Sequence, residues 1–125
     1  MTENDISYII RGAIFNIYNA LGPGLLESVY ELVLKYELEK SGLLVEAQVP
    51  LPVIYDKVKL EGGYRIDLLI NKMVIIEIKS VENLSGVHHK QLITYLKLSG
   101  KKLGLLVNFN TDKISTSIFR KVNNL

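Results

Sequence analysis

The 125-residue sequence predicts an α/β domain built around one mixed β-sheet. Two segments at the start of the chain and one in its second half have apolar residues at helical spacing. Between and after them lie short segments rich in Val, Ile and Leu, as β-strands are. We find no linker and no repeat, and the length suits one hydrophobic core, so we expect residues 1–125 to form a single domain.

The chain is predicted to begin with two helices joined by a tight corner. The first spans Ile6–Leu21, with Asn4 or Asp5 as its N-cap. Gly22-Pro23-Gly24 ends it, because glycine adopts the left-handed conformation of a helix end and proline cannot continue the helix. The second helix runs from Leu25 to about Lys40.

Three strands are predicted next. Leu44–Tyr55 contains Pro50 and Pro52, which suit an edge strand or a bulge. After a turn, Lys59–Ile70 is the second strand, bent at two adjacent glycines, and Met73–Ser80 is the third.

The second half of the chain predicts a helix followed by further strands. Leu84–Ser99 has helical spacing and is closed by Gly100. Leu103–Phe109 is almost wholly apolar, as a strand buried on both faces is. Ile114–Val122 is either an edge strand or a helix.

Charged residues interrupt the second and third predicted strands. Pairing Ile70 with Val74 places the apolar side chains of both strands, including Ile66 and Leu68 of the second, on one face of the sheet. The same register sets Asp67 opposite Glu77 and Arg65 opposite Lys79, on the other face. The sequence thus predicts two carboxylates and a lysine close together.

Two such carboxylates need a neighbouring positive charge. At about 5 Å and an effective dielectric constant of about 20, their repulsion is about 3 kcal/mol. Lys79 supplies one charge, and a divalent cation with oxygen ligands would supply more. The alternative is a cross-strand ion cluster on a solvated sheet face, which contributes little.

Three motifs carry a resemblance to a known family. Asp67 followed by Glu77-Ile78-Lys79 resembles the PD-(D/E)XK nuclease superfamily, with Ile66 in place of the proline. Gly24-Leu-Leu-Glu-Ser-Val-Tyr30 is similar to the signature of the small GxxExxY proteins, which are grouped with that superfamily. Gln91-Leu-Ile-Thr-Tyr95 resembles the Q-x-x-x-Y element of its RecB-like branch. The resemblance extends from Ile6 to about Asn110.

The resemblance implies a restriction-endonuclease-like fold and a metal-dependent site. Asp67 and Glu77 would be direct ligands of Mg²⁺ or Mn²⁺, and Glu27 would complete or support the metal site. Lys79 would be the catalytic lysine. Gln91 and Tyr95 lie one helical turn apart and would border the site or hold the substrate.

These residues also have alternative interpretations. Glu27 also suits a helix N-terminus, and Tyr30 is expected to pack rather than to take part in chemistry. Gln91 and Tyr95 also suit a solvated helix face. Five basic residues are expected near the site, either to follow phosphates or as ordinary surface residues: Arg65, Lys90, Lys97, Lys101 and Lys102.

Composition restricts the remaining classes. The absence of cysteine excludes disulfide scaffolds and thiolate zinc sites. The net charge of +2 does not by itself indicate nucleic-acid binding. No apolar run approaches the length of a membrane span and the first residues are acidic, so we expect a cytoplasmic protein without a membrane partner. A mean hydropathy of +0.20 favours a homodimer.

The resemblance implies Mg²⁺-dependent hydrolysis of phosphodiester bonds in DNA or RNA. The alternative is a nuclease fold retained as a non-catalytic module that binds nucleic acid or a protein partner, because a fold does not fix a function.

Overall fold

The computed structural model describes residues 1–125, which form three α-helices and seven β-strands. The helices are α1 (Glu3–Leu21), α2 (Glu27–Lys40) and α3 (Gly86–Ser99). The strands are β1 (Val45–Pro50), β2 (Val53–Tyr55), β3 (Val58–Leu60), β4 (Arg65–Ile70), β5 (Val74–Lys79), β6 (Leu103–Asn108) and β7 (Ile118–Val122). None of the helices combines the length and apolar character that crossing a membrane requires.

Five strands form a mixed sheet in the order β1-β4-β5-β6-β7. Only β5 and β6 are parallel, and α3 connects them as a crossover must. Helices α1 and α2 cover one face of the sheet and α3 covers the other, so two apolar clusters form. β6 is buried along its whole length, as predicted, and the predicted edge position of the proline-containing strand is confirmed for β1.

The helix starts differ from the prediction. Thr2, not Asn4 or Asp5, is the N-cap of α1. The Asp5 backbone N–H donates to Thr2 Oγ1 (3.1 Å), and the Thr2 N–H donates to the Asp5 carboxylate (2.9 Å). This reciprocal pair satisfies two free donors at once and so lengthens the helix. Helix α2 begins at Glu27 rather than Leu25, whose N–H donates instead to the Tyr30 hydroxyl.

Two of the predicted strands are each divided. Leu44–Tyr55 becomes β1 and β2, separated at Leu51-Pro52, and Lys59–Ile70 becomes β3 and β4. β2 and β3 pair only with each other, as a separate hairpin. Its turn is Asp56-Lys57, with φ of 51° and 61°. Positive φ at both residues is typical of two-residue hairpin turns.

One predicted core position is also wrong. Ile66 packs in the cluster on the α3 side with Leu69, whereas Leu68 and Ile70 pack in the cluster on the α1–α2 side. Pairing between β4 and β5 ends at Leu68 and Ile76. The preceding part of β4 is therefore released from β5 and turns Ile66 toward α3.

Candidate functional site

Asp67 and Glu77 meet where the β4–β5 ladder ends. The predicted pairing of Ile70 with Val74 is confirmed, and this register sets Asp67 opposite Glu77. At this point, hydrogen bonds from backbone N–H groups to the two side chains replace the backbone-to-backbone hydrogen bonds of the ladder. The Ile78 N–H donates to Asp67 Oδ2, and the Asp67 N–H donates to Glu77 Oε2, both at 2.8 Å. Each carboxylate thus accepts a hydrogen bond from a backbone N–H through one of its oxygens. These two hydrogen bonds do not involve the second oxygen of either carboxylate.

Burial makes this pair of carboxyl groups hard to ionise. Only 4% of Glu77 is exposed, and this burial, together with the charge of Asp67, raises the pKa of Glu77 to about 8. Burial also raises the pKa of Asp67, against the opposing effects of the Ile78 N–H and of Lys79. The pair therefore retains a proton near neutral pH unless a cation replaces it.

Lys79 and Glu27 lie beside the two carboxylates. The charge of Lys79 favours ionisation of both Asp67 and Glu77, although no ion pair within 4.0 Å joins Lys79 to a carboxylate. Glu27 is the first residue of α2, and its Oε2 accepts a hydrogen bond from the Ser80 N–H (3.0 Å). Because Ser80 directly follows Lys79, this contact fixes the start of α2 to the end of β5.

Tyr30 holds the corner that leads into Glu27. Its hydroxyl donates to the Gly22 carbonyl (2.5 Å) and accepts from the Leu25 N–H (3.2 Å). Its fully buried ring stacks on Phe109, with ring centroids 4.1 Å apart. The expectation that Tyr30 packs is therefore confirmed, and the packing sets where Glu27 lies.

Helix α3 brings Tyr95 next to the acidic pair. Tyr95 is buried, and this burial, followed by the charge of Glu77, raises the pKa of its hydroxyl. Gln91 lies one turn earlier, in a shallow groove that it lines with Tyr64. The Arg65 guanidinium is exposed, 3.5 Å from a backbone carbonyl of β1.

The expectation of five basic residues near the site is wrong for two of them. Lys101 and Lys102 precede β6, whose first residue pairs with Val74, at the end of β5 remote from Lys79. The two ends of β5, Val74 and Lys79, are five residue steps apart, about 16 Å. Spacing along the chain does not show which end of a parallel strand pair a loop approaches.

Two further polar residues of this region were not singled out from the sequence. Glu31 lies one turn after Glu27 on α2, and burial and the charge of Asp67 raise the pKa of Glu31. Gln48 in β1 donates from Nε2 to Glu31 Oε1 (2.7 Å). The four-residue spacing between Glu27 and Glu31 was a sequence signal for Glu31. No local sequence feature marked Gln48.

The donor chemistry fits a hard divalent cation, but the predicted set of three ligands is not preformed. No group of three or more Asp, Glu or His side chains is arranged to hold a metal ion. Glu27 already commits one oxygen to Ser80. Asp67 and Glu77 together match the way Mg²⁺ binds, through one or two carboxylates while it keeps several waters. Glu27 also lines a polar groove to which Asp67 and Glu77 do not contribute.

Comparison with protein families decides the classification. A family model described as the PD-(D/E)XK nuclease superfamily matches residues 4–121. The chain belongs to the PD-(D/E)XK nuclease superfamily. Its three helices and mixed five-stranded sheet are consistent with the restriction-endonuclease-like fold, so the predicted fold class is confirmed. PD-(D/E)XK nucleases typically use divalent metals. No curated protein and no solved structure matches the chain.

Proposed function

We propose that this chain is a Mg²⁺- or Mn²⁺-dependent nuclease that hydrolyses phosphodiester bonds in DNA or RNA. One observation carries the proposal. In a chain of the PD-(D/E)XK superfamily, Asp67 and Glu77 meet at the end of the β4–β5 ladder, with Lys79 beside them. This combination of two carboxylates and a lysine suits phosphoryl chemistry that depends on a cation.

Asp67 and Glu77 would hold the cation, with Glu27 in support. A bound cation polarises a phosphoryl oxygen and lowers the pKa of a water molecule. The Asp67 and Ile78 backbone N–H groups keep the two carboxylates in place before it binds. Because the pair is buried, both charges become stable only when a cation is present.

The other residues would act on the substrate. The Lys79 ammonium group, which no ion pair engages, would orient the attacking water and stabilise negative charge that develops on the phosphate. Tyr95 and Gln91 would border the bound strand, and the exposed Arg65 would bind a phosphate. Glu27 and Tyr30 would fill the roles of the GxxExxY signature.

A cleavage assay on single-stranded and duplex DNA and RNA, with Mg²⁺ and with Mn²⁺, tests the proposal. Lys79→Ala should abolish cleavage and leave binding of the cation and of nucleic acid nearly intact, because its charge acts along the reaction path. Glu77→Ala should lose cation affinity as well. Lys102→Ala, at the remote end of the sheet, is the matched control. Cleavage by Lys79→Ala equal to that of the parent would show a contaminating nuclease and refute the assignment.

A non-catalytic nucleic-acid-binding or protein-binding module is the second candidate function. The absence of a preformed group of three ligands favours it. Thermal melting separates the two candidates. A metal-dependent enzyme should gain melting temperature in Mn²⁺, by mass action on the folded state, and Asp67→Ala/Glu77→Ala should lose that gain. A module of this kind should respond equally in both proteins, and its affinity for nucleic acid should depend on salt.

We further propose that residues 1–125 act as one domain in the cytoplasm and that two copies associate. Exposed apolar side chains along the outer side of α2 support the dimer: Val29, Leu32 and Tyr36. Their spacing of three and four residues is that of a helix seam that packs against another helix.

A further inference from the structure

Gln48 has an unusual backbone conformation inside a strand. Its φ is 53°, which few residues other than glycine adopt. The neighbouring β1–β4 pairs, Ala47 with Leu68 and Val49 with Ile66, are present, but the pair between them, Gln48 with Asp67, is missing. Every other non-glycine residue with positive φ lies in a turn between strands or near the end of the chain: Asp56, Lys57, Asn71, Lys72 and Asn124.

The Gln48 side chain lies between two carboxylates. Its Nε2 donates to Glu31 Oε1 on α2 at 2.7 Å. The β1–β4 register sets Gln48 opposite Asp67, and the Gln48 amide favours the ionised form of the Asp67 carboxyl by lowering its pKa. A primary amide carries two N–H donors on one nitrogen, so a single glutamine can bridge two acceptors that otherwise repel each other. The bond from Gln48 is the side-chain hydrogen bond that holds the half-buried Glu31 at this position. A strained residue at such a point is typical of a functional site.

We propose that Gln48 is a positioning residue that holds Glu31 beside Asp67, so that Glu31 can accept hydrogen bonds from the waters around a cation at Asp67 and Glu77. The inference rests on the proposed function. Mg²⁺ keeps several of its waters in protein sites, and acceptors that orient such a shell strengthen binding. Glu31 would thus act on the cation without touching it, and Gln48 would act through Glu31.

Three variants separate this role from an ordinary structural one. Gln48→Asn keeps the amide and tolerates positive φ, but its side chain is one methylene too short to reach Glu31. Glu31→Gln keeps the shape of the acceptor and removes its charge. Lys57→Gly is the control, since it relieves a positive φ of 61° in the β2–β3 hairpin, outside the carboxylate cluster.

The measurements are the Mn²⁺ dissociation constant by titration calorimetry, the melting temperature, and the NMR resonances of the Gln48 side-chain amide. Gln48→Asn and Glu31→Gln should each raise the dissociation constant about tenfold or more, the usual effect of losing an outer-shell partner. Their melting temperatures should stay within about 3 °C of the parent, because one exposed hydrogen bond contributes little. Lys57→Gly should bind Mn²⁺ as the parent does.

Unchanged Mn²⁺ affinity in Gln48→Asn and Glu31→Gln would overturn the proposal, and so would an equal loss in Lys57→Gly. If the parent itself does not bind Mn²⁺, the proposed function fails, and the NMR measurement alone decides the role of Gln48. A shift of its amide protons on Glu31→Gln would then support the bridge. Amide resonances at the positions of a free, solvated glutamine, unaffected by the substitution, would refute it.

Discussion

Replacing Glu77 by Gln should change the pH dependence of stability more than any other single substitution at this site. Glu77 is buried beside Asp67, and the folded state therefore favours its protonated form. Gln has nearly the same shape, and its carbonyl oxygen can still accept the hydrogen bond from the Asp67 N–H. The substitution thus removes the titrating group and leaves the packing in place.

The direction and size of the effect follow from the two pKa values. The pKa of Glu77 is raised from 4.5 to about 8 on folding, so the folded state holds a proton that the unfolded state has released between those pH values. The parent should therefore lose stability as the pH rises from 4.5 through 8. At about 1.4 kcal/mol per pKa unit, the largest loss is about 5 kcal/mol. Glu77→Gln has no such proton to lose.

Urea unfolding at pH 5, 7 and 9, without divalent cations, measures this difference. Glu77→Gln should be close to the parent in free energy of unfolding at pH 5 and several kcal/mol more stable at pH 9, within the limit of about 5 kcal/mol. Glu61→Gln, an exposed acid after β3, is the matched control and should follow the parent. Parallel pH curves for the parent and Glu77→Gln would refute the burial argument.

Two other substitutions test features outside the acidic pair. Tyr30→Phe keeps the stacking on Phe109 but leaves the Gly22 carbonyl and the Leu25 N–H without their partner, so urea unfolding should show a loss of about 1–3 kcal/mol; an unchanged value would show that water replaces the hydroxyl. Leu32→Glu places a charge on the exposed side of α2 and should convert a dimer to a monomer in light scattering at micromolar concentration; a monomeric parent would contradict the dimer.

Local pattern was sufficient to predict the central hairpin. Strand side chains alternate with a period of two, and a one-residue slip exposes an entire apolar face, so the register of β4 against β5 follows from the apolar residues alone. The pairing of Ile70 with Val74 confirms it. Asp67 and Glu77 are opposite each other for this reason, before any family resemblance is considered. Helix spacing likewise predicted α1, α2 and α3, with errors of a few residues at their starts.

Contacts between distant segments were not predictable in this way. Ile66 turns toward α3 because the part of β4 that precedes Leu68 does not pair with β5, which the alternation within one strand does not show. The remote position of Lys101 depends on the direction in which β6 enters the sheet. Both errors come from treating proximity along the chain as proximity in space.

The sequence by itself determined which residue types were present for chemistry and how the two central strands are paired, because both depend on short-range periodicity. The tertiary structure alone decided what surrounds them. It brings Glu31 from α2 and Gln48 from β1 to Asp67, and it buries Glu77 deeply enough to raise its pKa to about 8. The reason is physical: desolvation and the strain of a positive φ arise only when segments far apart in the chain are packed together.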